Sequence, residues 1–362
     1  MANDQYQIKQ LDSYSVFLPP VGYCDTPESL ARRAARAEAN RIYTEEHATE
    51  KAQGQITGSF IYAHPPNYRG AEAVTYSQSD WKRELSRLKG FGIDTVIFQA
   101  SVWDELHECY YKSELFKDYK YFNVVEPMLA AANELGLTVF LGAVGSVTCW
   151  HEKLNNQIID GEVAKQIGCF DELCKSFSGM FNGIYFSPES TYPGFRDADL
   201  ENFLGDLYGR FFNEIRSRND KLKIMMSPAT FYHAGKMDDM KGAWLGMFSK
   251  AHPDILAPQD SIGCGCITLD KQIEALKIWR SICDEANIEF WSNVEVFECC
   301  APYIDETSRR IAPHDRVVAQ INNAAPYVSK FITWELLWYG NPMYPQSGGK
   351  LSPRWFGGAE VD

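Results

Sequence analysis

Short apolar runs alternate with longer stretches in which hydrophobic residues return every three or four positions, and this alternation continues along most of the chain. The short runs read as buried strands and the longer stretches as amphipathic helices, the arrangement expected when parallel strands are joined by helical crossovers. Strands are predicted over residues 56–63, 95–99, 137–142, 181–186, 222–227, 254–257, 288–294 and 330–334. Between them, a helix capped by Ser79 or Asp80 runs from Trp81 to Lys89 and stops at Gly90, and another over 124–135 stops at Gly136. Further helices are predicted over 162–177, 197–216, 269–286 and 315–325, with a short one before the sixth strand.

Eight strand–helix repeats is the closing number of the (β/α)8 TIM barrel, and closure under right-handed crossovers leaves no strand edge unpaired. The predicted fold class is therefore α/β, a (β/α)8 barrel over residues 56–362; an open doubly wound sheet is the alternative. Nothing in 336–362, rich in Gly, Pro and aromatic residues, predicts the helix that should follow strand eight. Thr26 as cap and Pro27 in the first turn instead predict a helix to about Glu50, in an N-terminal helical extension over 1–55. We expect it to pack on the barrel near the gap between strands eight and one. A solvated arm is the competing expectation, because the stretch from Arg32 to Arg41 has a narrow apolar face.

Composition narrows the function. The 362 residues are 45% hydrophobic and 23% charged, enough for a large core, and the net charge of −13 repels polyanions, so nucleic acid is excluded as an expected partner. No segment approaches the roughly 20 apolar residues of a membrane span, so no membrane partner is expected. The opening residues carry neither a basic region nor an apolar run, and the ten cysteines, including Cys264-Gly-Cys266 and Cys299-Cys300, lack a disulfide-framework spacing. A cytoplasmic location is expected, or a secreted one if a leader has been removed; oligomeric state is not legible.

Barrel chemistry sits where strands end. Here those positions hold Tyr62 and His64, Gln99 and Trp103, Trp150 and His151, Glu189, Tyr232, Gln259 and Asp260, Asn293, Glu295 and Glu298, and Trp334 with Trp338 beyond it. Carboxylates facing flat aromatic surfaces suit sugars: the acids protonate and displace at an acetal, and the rings stack on pyranose C–H faces. The expected substrate or partner is accordingly a carbohydrate or glycoside. Glu189 and Glu295, after strands four and seven on opposite sides of the mouth, form the expected catalytic pair of a glycoside hydrolase. Glu298 competes with Glu295, and Asp260 competes as the partner of Glu189, which would favour inversion. A non-catalytic carbohydrate-binding barrel, or a sugar lyase or isomerase on the same fold, are the alternative functions.

No cofactor and no metal are expected. His64, His107, His151 and His233 fall near strand ends, but strand one ends Tyr62-Ala-His-Pro-Pro rather than His-x-His, and no Cys-x-x-Cys supports zinc. Gly263-Cys-Gly265 lacks the three-glycine dinucleotide fingerprint.

The segments Gly58-Ser-Phe, Gly92-Ile-Asp-Thr-Val-Ile-Phe-Gln, Gly183-Ile-Tyr-Phe-Ser-Pro-Glu, Ala257-Pro-Gln-Asp-Ser-Ile-Gly and Phe290-Trp-Ser-Asn-Val-Glu-Val-Phe-Glu together resemble a set of glycosidase-like TIM barrels catalogued as a domain of unknown function. The resemblance covers about 56–338, with Pro258-Gln-Asp-Ser-Ile-Gly its most specific stretch. The chain is also similar to the wider superfamily of retaining glycosidases with catalytic glutamates after strands four and seven. That resemblance implies acid/base Glu189, nucleophile Glu295 and a sugar platform at Trp334. Pro188 departs from it, standing where the superfamily usually has an Asn for the sugar 2-hydroxyl.

Overall fold

The eight apolar runs pair side by side until the last returns to the first. In the computed structural model, which describes residues 7–11, 14–18, 27–48, 51–64, 73–104, 106–145, 156–188, 196–230, 239–299 and 309–339, the chain begins with an antiparallel hairpin of β1 (Gln7–Leu11) and β2 (Tyr14–Leu18), then helix α1 (Pro27–Glu46). Next come β3 (Ile56–Ile61), α2 (Gln78–Gly90), β4 (Thr95–Phe98) and three two-residue strands, β5 (Val102–Trp103), β6 (Glu108–Cys109) and β7 (Lys120–Tyr121). They are followed by α3 (Val125–Glu134), β8 (Thr138–Gly142), β9 (Val144–Gly145), α4 (Asn156–Ser176), β10 (Gly183–Phe186), α5 (Ala198–Arg218), β11 (Lys223–Met226), α6 (Met240–Met247) and β12 (Ile255–Leu256). The last elements are α7 (Leu269–Ala286), β13 (Glu289–Glu295), the hairpin β14 (Phe297–Cys299) and β15 (Arg309–Ile311), α8 (His314–Ala324), β16 (Lys330–Trp334) and α9 (Leu336–Tyr339).

Strands β3, β4, β8, β10, β11, β12, β13 and β16 form a closed, all-parallel barrel, the predicted (β/α)8 fold. Side chains alternate across each strand, so one set fills the barrel and the other meets the helices. Phe60, Ile97, Phe140, Tyr185, Met225, Ile255, Trp291 and Ile332 make the inner layer. Val96, Phe98, Val139, Leu141, Ile184, Phe186, Phe290 and Val294 belong to the outer one, in which Phe186 lies 4.9 Å from the ring of Phe211 on α5. Burial on both faces is why these strands read as continuous apolar runs.

Several elements differ from the sequence expectation. Ser77 caps α2: its Oγ accepts from the Asp80 N–H at 3.2 Å, and Asp80 accepts from the Ser77 N–H at 3.1 Å, a reciprocal box that makes Asp80 the third helical residue rather than the cap. Helix α4 starts at Asn156, earlier than expected. One turn of helix, α9, does follow strand eight; it buries Leu336 and Leu337 beside β3, with the Leu336 N–H donating to Ser59 Oγ at 3.0 Å. Four residues are too few to display a helical period. Helix α1 packs on α7 and α8, where the Tyr43 hydroxyl donates to Asn323 at 2.9 Å and Asn40 Oδ1 accepts from the Leu269 N–H at 2.8 Å. Asn40 thus satisfies an orphan donor at the start of α7, whose own Thr268 makes no side-chain cap. Among the described residues, no helix is long and apolar enough to cross a membrane.

Candidate active site

Above the packed inner layer the same alternation turns polar residues inward. Gln99, Gly142, Ser187, Ser227, Gln259, Asn293, Glu295 and Trp334 each lie two or four residues beyond an inner-layer side chain of their strand. They bond to one another: Trp334 Nε1–H donates to Gln99 Oε1 at 2.9 Å, Asn293 Nδ2 to Ser227 Oγ at 3.0 Å, and Gln259 Nε2 to the Ser227 carbonyl at 3.2 Å. Gly142 is the small member of the ring; a Cβ there would stand 2.0 Å from the Gln99 carbonyl oxygen and 2.5 Å from Ser187 Oγ.

Glu295 is the last residue of β13, directly opposite Trp334 in the register with β16, and is 3% exposed. Its carboxylate accepts from the Cys264 N–H at 2.8 Å and from the Cys264 thiol, 3.2 Å from one oxygen and 3.4 Å from the other. Gly263 permits this approach, since a Cβ would fall 2.3 Å from the Phe297 carbonyl and 2.8 Å from Glu295 Cβ. From behind, Arg316 on α8 donates to the carbonyls of Glu295 at 3.0 Å and Phe297 at 2.6 Å, and Gln320 adds a longer bond of 3.3 Å to the first. Both the carboxylate and the backbone that carries it are therefore held, which offsets the cost of taking the group out of water.

Asp260, one residue out of phase with Gln259, faces the outer helices. Its carboxyl accepts from the N–H of Ile262 at 3.2 Å and of Glu295 at 3.4 Å, and from Gln320 Nε2 at 2.6 Å. Burial first, and then the charge of Glu295, push this carboxyl up to about 7, against the opposing hydrogen bond from Gln320 and charge of Arg316. A carboxyl raised in the folded state favours its protonated form there, so its stabilisation is present below its ordinary range near 3.8 and is lost as pH rises through about 7. The contribution of this group to the unfolding free energy of the wild-type chain is therefore expected to decline as pH rises from about 4 to about 7. Asp260→Asn should flatten that decline in urea titrations; an equal slope in both proteins would contradict the assignment.

On the strand-one side, His64 Nε2 lies 2.6 Å from Glu108 Oε2, and the Tyr110 hydroxyl donates to the same oxygen at 2.7 Å. His64 and Glu108 are each 1% exposed. The Tyr62 ring bridges from His64, at 5.5 Å, to half-buried Trp103, at 5.4 Å. Glu108 escaped the sequence reading because it sits in a two-residue strand within an irregular loop; its only sequence signal is a lone acid among Cys109, Tyr110 and Tyr111.

Trp334 is half-buried, packs against the inner layer and meets Phe297 edge-on at 5.5 Å, whereas Trp338 is buried in the outer core. Glu298 lies in the hairpin strand β14, opposite Arg310. Glu189, Trp150, His151 and Tyr232 lie outside the described residues, as does His233; β10 and the residues after it are described only to Pro188. Among the described residues, no group of three or more His, Cys, Asp or Glu side chains is placed to hold a metal ion.

A barrel with this sequence over residues 56–347 matches the family described as "Domain of unknown function (DUF4434)". The chain belongs to the DUF4434 family. No curated protein matches it. Among solved structures, this DUF4434 barrel is similar to a candidate alpha-L-fucosidase from Bacteroides thetaiotaomicron, with 19% identity and a TM-score of 0.68 over 83% of this chain and 92% of that one. The family 1 beta-glucosidase of Thermotoga maritima aligns at 12% identity and a TM-score of 0.49, over 79% of this chain and 90% of the other. The first of these likenesses shows the TIM-barrel fold of the DUF4434 domain.

Proposed function

We propose that this chain is a glycoside hydrolase in which Glu295 is the nucleophile and Glu189 the acid/base, acting with retention and without a cofactor. The observation that carries the reading is the Glu295 carboxylate: buried at the C-terminal end of strand seven, turned inward, and fixed by two donors from Cys264. A nucleophile of this kind must be aimed and shielded from water, and the buried, doubly hydrogen-bonded Glu295 carboxyl suits those demands. The similarity to a candidate fucosidase fits a sugar substrate. Under the same reading, Asp260 serves the strand end rather than the sugar, because its oxygens are taken by Ile262, Glu295 and Gln320. Glu298 stands outside the reaction, on a hairpin strand.

Half-buried Trp334, held edge-on by Phe297 and hydrogen-bonded to Gln99, supplies the flat apolar face beside the nucleophile. Tyr62, His64, Trp103, Gln259 and Asn293, with Trp150 and Tyr232 from the further loops, complete the proposed sugar-binding set. A stacked pyranose is worth on the order of 1–2 kcal/mol, so Trp334→Ala should weaken sugar binding by about tenfold. Titrating an inhibitor against tryptophan fluorescence checks this: the quench should be lost in a folded Trp334→Phe variant, and an undiminished quench would move the platform to Trp103 or Trp150. The activity itself is tested by presenting a panel of 4-nitrophenyl glycosides differing in sugar and anomer. Turnover of at least one, abolished by Glu295→Gln, is expected; binding of sugars without turnover of any glycoside would favour the carbohydrate-binding alternative.

A further inference from the structure

The loop between β12 and α7 brings one residue, Cys264, against the Glu295 carboxylate with a main-chain and a side-chain donor at once. The N–H of Cys264 reaches Oε2 at 2.8 Å, and its sulfur stands 3.2 Å from Oε1. This approach is built into the chain on both sides. Gly263 has no room for a Cβ, which would meet the Phe297 carbonyl and Glu295 itself, and Ser261 and Gly265 turn the loop through positive φ angles of 57° and 68°. The loop is also anchored from outside the barrel, where Arg36 of α1 donates to the Gly265 carbonyl at 3.1 Å and Asn40 holds the Leu269 N–H.

We infer that Cys264 is a positioning residue for Glu295, its thiol donating a hydrogen bond that keeps the carboxylate ionised and aimed at the mouth. The inference rests on the reading of Glu295 as nucleophile for its catalytic consequence, but the contact itself does not depend on that reading. A thiol is a weak donor, yet a bond to a charged acceptor is stronger than a neutral one, and here it joins a main-chain donor on the same group. The influence is reciprocal. A negative charge 3.2 Å from the sulfur opposes formation of the thiolate and favours the thiol as donor. Ionisable groups beside Glu295 among the described residues include Asp260 on the strand-six side and Arg316 on α8; Glu335 follows Trp334, the partner of Glu295 in the register with strand eight. Of these, Asp260 and Arg316 bond only to its main chain in the contacts described above.

Two measurements test this. In the first, carbamidomethylation of Cys264 by iodoacetamide at neutral pH is followed by peptide mass spectrometry in the wild-type chain and in Glu295→Gln. Removing the charge should speed labelling by about threefold or more. An unchanged rate would overturn the inference. In the second, the pH profile of kcat/KM is recorded for wild type, Cys264→Ala and Cys264→Ser on the 4-nitrophenyl glycoside that the wild-type chain hydrolyses fastest, with melting curves confirming the fold. Cys264→Ala should lose roughly tenfold in kcat and move its acid limb to higher pH, and Cys264→Ser, which keeps a donor, should restore most of both. A profile that the alanine does not move, or a serine no better than alanine, would overturn the positioning role. Should no glycoside be turned over, the glycosidase reading fails while the labelling rates still decide the contact.

Discussion

Glu295→Gln is expected to lower turnover by roughly a thousandfold or more while the melting temperature stays near that of the wild-type chain. The amide keeps the volume of the side chain and can still accept from the Cys264 N–H, so the packing of β13 against β16 has no reason to change. What it loses is the electron pair and charge that displace the leaving group at the anomeric carbon. Glu189→Gln should also lose orders of magnitude, but for a different reason, so the two can be told apart. With an activated aryl leaving group that needs no proton, Glu189→Gln should retain its first step, and azide, which needs the space the carboxylate vacates, should restore turnover in Glu189→Ala and Glu295→Ala with opposite anomeric outcomes. Near-normal turnover of Glu295→Gln on a substrate with a poor leaving group would remove Glu295 from the reaction.

Arg316→Met should cost the fold about 3 kcal/mol or more, the largest stability loss we expect from a single change near the site. The guanidinium donates to two carbonyls at the end of β13 and at Phe297, and it is 6% exposed. Methionine fills much of the space but leaves both carbonyls without that donor in a place poor in water. It also removes the positive charge that opposes the rise of the buried Asp260 carboxyl. Urea unfolding measures the loss directly, and a drop under about 0.5 kcal/mol, the range of ordinary surface substitutions, would mean that the end of β13 is held by other contacts.

How much of this was legible in the amino-acid order follows from the physics of each part. The barrel was, because strands buried on both faces cannot be polar and the helices between them must alternate: 95–99, 137–142 and 330–334 stand out for that reason. The small sheet of β5, β6, β7 and β9 was not, since two-residue strands carry no period, and with it went Glu108. The N-terminal hairpin was missed because the reading of 1–55 was led by the helical signal after Thr26. Among the residues singled out at strand ends, Glu295, Asn293, Gln259, Gln99 and Trp334 lie on the inward phase above the inner layer, and His64 lies on the strand-one side. Phase separates them from Asp260: a shift of one residue turns a strand-end carboxyl from the mouth to the helices, and β12, with only two paired residues, is too short for sequence to fix that phase. Cys264 was weighed only for disulfide, zinc or phosphate chemistry, because its contact with Glu295 depends on a loop folding back across the strand end.

The central claim is that Glu295 attacks a sugar, and trapping the covalent intermediate tests it most directly. The chain would be incubated with 2-deoxy-2-fluoro glycosyl fluorides matching the sugar and anomer of whichever glycoside of the panel is turned over, then digested and examined by mass spectrometry. Slow decay of the fluorinated intermediate should leave a glycosyl ester on the peptide that contains Glu295, placed on that residue by fragmentation and absent from Glu295→Gln. An ester on Glu298 or another carboxylate, or hydrolysis of the reagent with inversion and no adduct, would contradict it.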